Sequence, residues 1–362
     1  MSAVDKVTPP PGGLRVPAEL LQRQMLAILT AWGMPPARAR TAADVLLYAD
    51  LHGIDSHGLS MLPVYDGYRR RGEIRLDAPE PTIQDCGPAA VLLDAHHALG
   101  HAPGVMAMEC AMARAGSVGV GLALVRASAH FGAAGFYTRL AAEHGMLGFA
   151  CTTSPSPRTA PTLGAAAVLG TNPLAFAAPG RAGTGFALDM ATTTVAFGKI
   201  RNAASEGRTL PPGWGTDRHG RPSLDPREVM EHGFLTPLGG TAEGSSHKGY
   251  GLAVMVDILA GALSGAMPRA GQGPERNSGH FFLAIDPGIF GPREAFGEAV
   301  EGLCARLRAT TPADPGTPVL VAGDPERAEA ERRRAGGIPV GAGLMRQVRA
   351  LADEAGAGWH LG

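Results

Sequence analysis

The sequence predicts an α/β fold in two parts, an α-rich N-terminal unit followed by a sheet covered with helices. Two observations carry this. Residues 17–71 show apolar residues at helical spacing, broken by one polar turn. From Ala89 onward the texture changes, and short apolar runs alternate with helical patterns. A third feature sets the scale: 362 residues can enclose a large core and two lobes.

Taken in order, residues 1–14 are Pro/Gly-rich and polar, and a flexible tail is expected. Pro17 opens a helix to Trp32, where Leu20, Leu21, Met25, Ile28 and Leu29 recur at helical spacing and Gly33 stops it. Pro35-Pro36 begins a second helix, to about Leu51. Gly53-Ile-Asp-Ser-His-Gly58 is a polar, glycine-bracketed turn. A third helix, Leu59 to Arg71, ends at Gly72. The runs Ala90–Leu93, Val118–Val125 and Met146–Cys151 read as strands, with helices over Gly104–Ala115 and Phe136–His144. Thr152 to Pro179 reads as turns, Gly185–Met190 as a strand, and residues 201–243 as loops. Lys248–Leu263 is the strongest late helix. His280–Ile285 is a strand, and Arg293–Arg308, Pro325–Ala335 and Gly341–Ala355 are helices.

Composition narrows the function. A net charge of −1 gives no footprint for nucleic acid, and the triplets Arg69–Arg71 and Arg332–Arg334 sit at helix ends, where basic turns are ordinary. Cys86, Cys110, Cys151 and Cys304 are too widely spaced for a zinc knuckle or a disulfide framework, so no metal is expected. The opening Met-Ser-Ala-Val-Asp-Lys lacks the apolar core of a secretory leader, and no run of about eighteen apolar residues occurs. A cytoplasmic protein that binds neither membrane nor nucleic acid is expected. Glycine and proline are abundant, 51 and 30 residues, which implies many tight turns where ligands can sit.

Several signatures are missing. No G-x-G-x-x-G follows a strand; Gly116-Ser-Val-Gly-Val-Gly121 has the wrong spacing and precedes one. There is no P-loop, no H-E-x-x-H and no G-x-S-x-G elbow. What remains is Arg126-Ala-Ser-Ala-His-Phe-Gly-Ala-Ala-Gly135, a strand that turns into a helix through small residues. Such a helix N-terminus aims unpaired N–H groups outward and attracts phosphate or carboxylate. His130 in that turn, and His57 beside Ser56 in the earlier one, change charge near neutral pH and suit proton transfer. Lys199 and Lys248 could stabilise an anion in a chain where lysine is scarce. Asp189 ends an apolar strand, where it could accept from a ribose hydroxyl or cap the next helix.

Six stretches in order together resemble one family: Gly53-Ile-Asp-Ser-His-Gly58, Ser128-Ala-His-Phe-Gly132, Gly170-Thr-Asn-Pro173, Leu188-Asp-Met-Ala-Thr192, Gly198-Lys-Ile200 and His247-Lys-Gly-Tyr-Gly-Leu252. They resemble the malate/L-lactate dehydrogenase family of NAD(P)-dependent 2-oxoacid and cyclic-imine reductases, which also holds ureidoglycolate, sulfolactate and piperideine-carboxylate enzymes. The likeness runs from about residue 18 to about residue 356, and Asn277 to Asp286 matches the family's late strand. It implies a non-Rossmann NAD(P)-binding domain with a mixed sheet, residues 86–289, and an α-rich domain, residues 15–85, joined by C-terminal segments 290–362. It also implies NAD or NADP as cofactor, a small 2-hydroxy or 2-oxo acid as substrate, and a homodimer.

The resemblance further implies roles. His57, with Ser56, resembles the proton donor of the imine-reducing members, and His130 the proton acceptor of the ureidoglycolate members. Lys199 stands where imine reducers carry an Asp, which favours hydroxy-acid over imine chemistry. His130, Phe131, Gly132, Ala133, Ala134, Ser154, Asp189, Met190, Ala191, Phe197, Gly198, His247, Lys248, Gly323 and Asp324 resemble cofactor contacts. Thr171 resembles a substrate contact. One departure stands out: where the family often has an Arg that clamps the substrate carboxylate, this chain has Met61, and a thioether cannot replace a guanidinium fork. Alternatives from other classes are a cyclic-imine reductase, a metal-dependent hydrolase or lyase using His57, His130, His247 and His280, and a binding protein without catalysis.

Overall fold

The computed structural model describes residues 13–154, 156–181, 185–267 and 274–362. The tail expected over residues 1–14 therefore lies outside the described residues up to position 12, and Leu14 already belongs to a strand, β1 (Leu14–Val16). α1 (Ala18–Ala31) starts after Pro17, whose φ of −54° suits a helix entrance, and buries Leu21, Met25, Ile28 and Leu29. α2 (Pro36–Leu51) packs on it. The polar turn forms two short 3₁₀ segments, Asp55–His57 and Leu59–Met61, which run into α3 (Leu62–Arg70).

The sheet begins with β2 (Thr82–Asp85) and β3 (Ala90–Ala98), then α4 (His101–Val118) and β4 (Val120–Ser128). α5 (Gly135–Glu143), β5 (Leu147–Thr152), β6 (Leu174–Ala178) and β7 (Phe186–Met190) follow. Next come α6 (Phe197–Ser205), β8 (Gly215–Thr216), β9 (Pro222–Ser223), α7 (Pro226–Glu231), β10 (Phe234–Leu235) and α8 (His247–Val256). The chain closes with β11 (Ser278–Ile285), α9 (Arg293–Arg308), α10 (Asp324–Gly336), β12 (Ile338–Val340) and α11 (Ala342–Ala355). Among the described residues no helix is long and apolar enough to cross a membrane.

Among the described residues the main sheet has the order β2-β3-β4-β11-β5-β6-β7. It is mixed: β3 and β4 are parallel, as the α4 crossover requires, and every other neighbouring pair is antiparallel. The late strand β11 slots between β4 and β5, with Phe281 opposite both Leu124 and Cys151. Its near-unbroken apolar run reflects burial on both faces. One face packs on α4 and α5 through Met108, Val125, Tyr137 and Phe282; the other packs on α8 and its continuation through Val256 and Ala260.

Some elements differ from the sequence expectation. β6 lies in the stretch read as turns: Leu-Ala-Phe-Ala-Ala offers neither alternation nor β-branched residues, and pairing with β5 and β7 supplies the order. Within 201–243, read as loops, stand the end of α6, the two-residue strands β8, β9 and β10, and the one-and-a-half-turn α7. They are too short for any periodicity to show. β2 is exposed along its length, so burial left no pattern in it.

The C-terminal segment returns to the N-terminal helices. Val340, Val348, Ala352 and Leu361 share one apolar core with Leu21, Met25, Leu46 and Tyr65, and β12 pairs with β1. The return also fixes the Asp55–His57 turn. Arg333 of α10 is 1 % exposed and donates to the Asp50 carbonyl at 2.6 Å, to the Asp55 carboxylate and to Glu329. From below, the buried Asp50 carboxylate accepts the Leu59 N–H at 2.8 Å. Gly58 lies against that carboxylate so closely that a Cβ there would sit 1.9 Å from Oδ1. Burial pushes the Asp50 carboxyl up to about 8.

Arg333→Met is expected to cost about 3 kcal/mol of unfolding free energy, the low end for breaking a buried ion pair, because Asp55 keeps one side in water. Urea unfolding monitored by far-UV circular dichroism checks this; a loss below about 1 kcal/mol would mean that the clamp is not structural.

Candidate active site

The strand-to-helix turn after β4 is shaped by backbone that few residues adopt. Ala127 takes φ +47° at a bulge where β4 loses register with both neighbours, and its N–H is held by the Asn277 side chain at 2.9 Å. Gly132 then takes φ +82°, where a Cβ would sit 2.6 Å from Val45. These two positions turn the chain so that Ala133, Ala134 and the start of α5 form one wall of a cleft of about 860 Å³. The Asp55–His57 turn, the edge strand β7, the start of α6 and the start of α10 complete it. The volume lies in the range that suits a cofactor or small ligand.

Of the residues singled out in the sequence, the cleft brings together Ser56, His57, Gly132, Ala133, Ala134, Thr171, Asp189, Met190, Ala191, Phe197, Gly198 and Gly323. His130 stands behind this wall, half-buried, its ring 5.2 Å from that of His57. Phe131 is buried and stacks on His280 at 4.6 Å. The others lie elsewhere. Met61 packs against the core of the N-terminal helices. The Ser154 N–H is spent on Asn172 Oδ1. Lys199 is exposed on α6, its ammonium 6.0 Å from the Trp214 ring. His247 and Lys248 are exposed at the start of α8. Asp324 is held by Arg308 and Arg327, and the Arg308 hydrogen bonds pull its carboxyl down to about 2. Among the described residues no group of three His, Cys, Asp or Glu converges as a metal site.

The N-terminus of α5 is already partly answered. Asp189 Oδ2, from β7, accepts the Gly135 N–H at 2.7 Å, a cap supplied across the sheet rather than by the helix's own sequence. Burial raises its carboxyl to about 6. The Phe136 and Tyr137 N–H groups bond to Ala133 and Ala134 carbonyls. Free positive charge in the cleft comes instead from residues the sequence reading missed. Arg139 lies 5.3 Å from the Tyr48 ring and 5.4 Å from the Phe136 ring, and pairs with Glu143. Its Nε is buried without a hydrogen-bond partner. A partly exposed guanidinium bordering the cleft suits an anionic group, which fits a dinucleotide or a carboxylate substrate. Arg327, also on the wall, donates to the Gly185 carbonyl at 3.1 Å and to Asp324. In sequence Arg139 and Glu143 look like a surface i,i+4 pair, and nothing in their spacing marks a cleft.

His57 Nδ1 lies 2.8 Å from Ser56 Oγ, so the ring is oriented by its neighbour. Burial under the surrounding protein pushes the ring down to about 4. Burial first, and then the neighbouring His57, hold His130 well below its ordinary value. Both histidines are thus neutral near pH 7.

The family model described as malate/L-lactate dehydrogenase matches residues 16–349. The malate dehydrogenase of Pyrococcus horikoshii is 36 % identical over 348 residues, 95 % of this chain and 96 % of that one. The L-sulfolactate dehydrogenase of Methanocaldococcus jannaschii is 34 % identical over 342 residues, covering 92 % and 95 %. The crystal structure of malate dehydrogenase from Entamoeba histolytica superposes with a TM-score of 0.90 at 29 % identity, over 96 % of this chain and 99 % of that one. With the fold, the mixed sheet and most of its length shared, the chain belongs to the malate/L-lactate dehydrogenase family.

Proposed function

We propose that the cleft between the Asp55–His57 turn and β7 interconverts a small 2-hydroxy acid and its 2-oxo acid, with His57 moving the proton. Family membership makes the chain an NAD(P)-dependent dehydrogenase acting on hydroxy acids. The observation that carries the finer reading is that His57 lines the cleft while its Nδ1 is held by Ser56, so one nitrogen is fixed and the other is free to work. The bound dinucleotide supplies or takes the hydride. Of the chain's own residues, His57 takes the hydroxyl proton during oxidation and returns it during reduction. Arg139 binds an anionic group through the exposed part of its guanidinium, as the carboxylate anchor that Met61 cannot be or as a phosphate contact. Ala133, Ala134, Asp189 to Ala191, Gly198 and Gly323 form a wall that would hold the dinucleotide, and Thr171, also on the lining, would meet the substrate. Small residues there let backbone approach the ligand.

NADH or NADPH is expected to bind with micromolar affinity, roughly −8 kcal/mol. Calorimetry that finds neither dinucleotide bound at millimolar concentration sinks the reading. With a panel of 2-oxo acids and cyclic imines, oxo acids are expected to turn over; activity on imines alone would reassign the chain as an imine reductase. His57→Asn should lose about 10²–10⁴ in turnover while dinucleotide binding survives. His130→Asn is expected to act more on the Michaelis constant, and the opposite pattern would reverse the two roles.

The pH dependence follows from the low proton affinity of His57. Oxidation needs its neutral form, which persists as pH falls until about 4 is approached. The kcat/KM for oxidation should therefore hold below the ordinary histidine value of about 6.5 and fall only in more acidic buffer. A midpoint at 6.5 or above would show that another group moves the proton.

A cytoplasmic homodimer completes the proposal. The apolar faces of α1 and α2 are spent within their own core, so they leave little for a partner. Ile258, Leu263 and Met267, exposed along the continuation of α8, offer a surface instead. Light scattering is expected to give twice the 37.2 kDa chain mass; a monomer at all workable concentrations would overturn it.

A further inference from the structure

Behind the cleft wall, His130 is tied into the protein interior by a chain of hydrogen bonds whose proton positions can be worked out. Its Nδ1 lies 2.7 Å from the Tyr65 hydroxyl and 3.3 Å from the Gly132 N–H. A backbone N–H can only donate, so Nδ1 carries a lone pair and no proton. Tyr65 must then donate its single hydroxyl proton to Nδ1. That leaves Tyr65 as acceptor from its second partner, His101 Nε2, at 3.2 Å. His101 therefore carries its proton on Nε2, and its Nδ1 is a bare acceptor. Burial, with His101 1 % exposed, holds that ring down to about 3, so it stays neutral.

His101 Nδ1 has no hydrogen-bond partner in the protein. His101 borders a small cavity of about 10 Å³, room for about one water, which Arg38 also borders. Arg38 spends its two terminal nitrogens on the carbonyls of Ala78 and Pro79, and its Nε, 3.8 Å from Glu80 Oε1, is buried without a hydrogen bond. Two residues that border one hole thus carry an acceptor and a donor without hydrogen bonds, and a single water there would accept from Arg38 Nε–H and donate to His101 Nδ1.

We propose that Tyr65 and His101 are positioning residues, anchored on a water shared with Arg38, that lock His130 as its neutral Nε2–H tautomer. The consequence rests on the dehydrogenase reading of the cleft. With two donors on Nδ1, His130 cannot gain a second proton without displacing Tyr65 and facing the Gly132 N–H. Tyr65 cannot relay one cheaply, since burial raises its hydroxyl well above its ordinary value. His130 is thereby a fixed hydrogen-bond donor beside His57, and the proton of the reaction is left to His57.

The test is ¹⁵N NMR of the full-length, histidine-labelled protein with dinucleotide bound, the His130 signals being identified by their loss in His130→Gln. The expected result is an unprotonated Nδ1 and a protonated Nε2 that persist between about pH 5 and 8, on either side of the ordinary histidine value. A protonated Nδ1 in the wild-type protein overturns the lock and needs no variant. Tyr65→Phe removes only the hydroxyl; it is expected to mix the tautomers and raise the Michaelis constant for substrate about 10–100-fold, as loss of a ring-orienting partner does, with kcat and dinucleotide affinity little changed. Arg38→Met is expected to shift both readouts the same way by less. If Tyr65→Phe lowers thermal stability but leaves tautomer and Michaelis constant unchanged, the role is structural only and the proposal fails. A crystal structure with no density in the Arg38–His101 cavity overturns the water anchor. Should no oxo acid or imine turn over, the functional reading fails while the tautomer measurement still decides the lock.

Discussion

A buried guanidinium, Arg333, ties the two ends of the chain together beside the cleft. Taking such a charge out of water is costly, and the cost is offset only where every donor is met. Here the Asp50 carbonyl, the Asp55 carboxylate and Glu329 meet it from the end of α2, the 3₁₀ turn and α10. The planar fork is suited to several partners at fixed angles, which a lysine ammonium could not satisfy in the same way. The result is that the position of His57 depends on a helix nearly three hundred residues away in sequence. The shared apolar core of α1, α2, β12 and α11 holds that helix in place. The cleft is therefore a product of chain closure and cannot form from the N-terminal unit alone.

This explains what the sequence could and could not reveal. Long periodic elements were legible: α1, α2, α4, α9 and α11 follow from apolar spacing and Pro or Gly boundaries, and β4, β5 and β11 from apolar runs. Their order in the sheet was not. Nothing local in Ser278–Ile285 says that it inserts between β4 and β5, since that choice is made by burial on both faces. The same limit applies to the site. Ser56, His57, Thr171 and Asp189 could be singled out from short motifs, and they do meet. Asp189 does so as the cap of α5, a contact made across the sheet that residue spacing cannot express. Tyr48, Arg139, Arg327 and Glu326 line the cleft from helices on which they read as ordinary core or surface residues.

Electrostatically the region behind the cleft is unusual for its lack of charge. His57, His101, His130 and His280 all have their proton affinity lowered, chiefly by burial. Each ring is given at least one hydroxyl: Ser56 for His57, Tyr65 for His130 and His101, Ser128 and Thr152 for His280. A hydroxyl can donate or accept, so it fits a neutral imidazole in either tautomer. Carboxylates would have raised the affinity of these rings and made them permanent cations. A row of neutral rings keeps the wall weakly polar. An anionic ligand then interacts mainly with the guanidiniums placed for it, rather than with diffuse positive charge.

Arg139 is the clearest case of such placement. The departure at Met61 removes a cation from the 3₁₀ segment Leu59–Met61, and the thioether takes up apolar contacts with the helical core, so no charge is left there to be compensated. Arg139 offers charge from another wall, the first turns of α5. Its guanidinium is held beside the Tyr48 and Phe136 rings, which fixes its plane without consuming its donors. Glu143 takes one terminal nitrogen, and Nε stays unspent. A side chain already ordered by stacking loses little further entropy when it meets a ligand, so more of the attraction appears as affinity. In the proposed reaction, the loss of one substrate clamp is thus met by a preorganised guanidinium on another wall of the cleft.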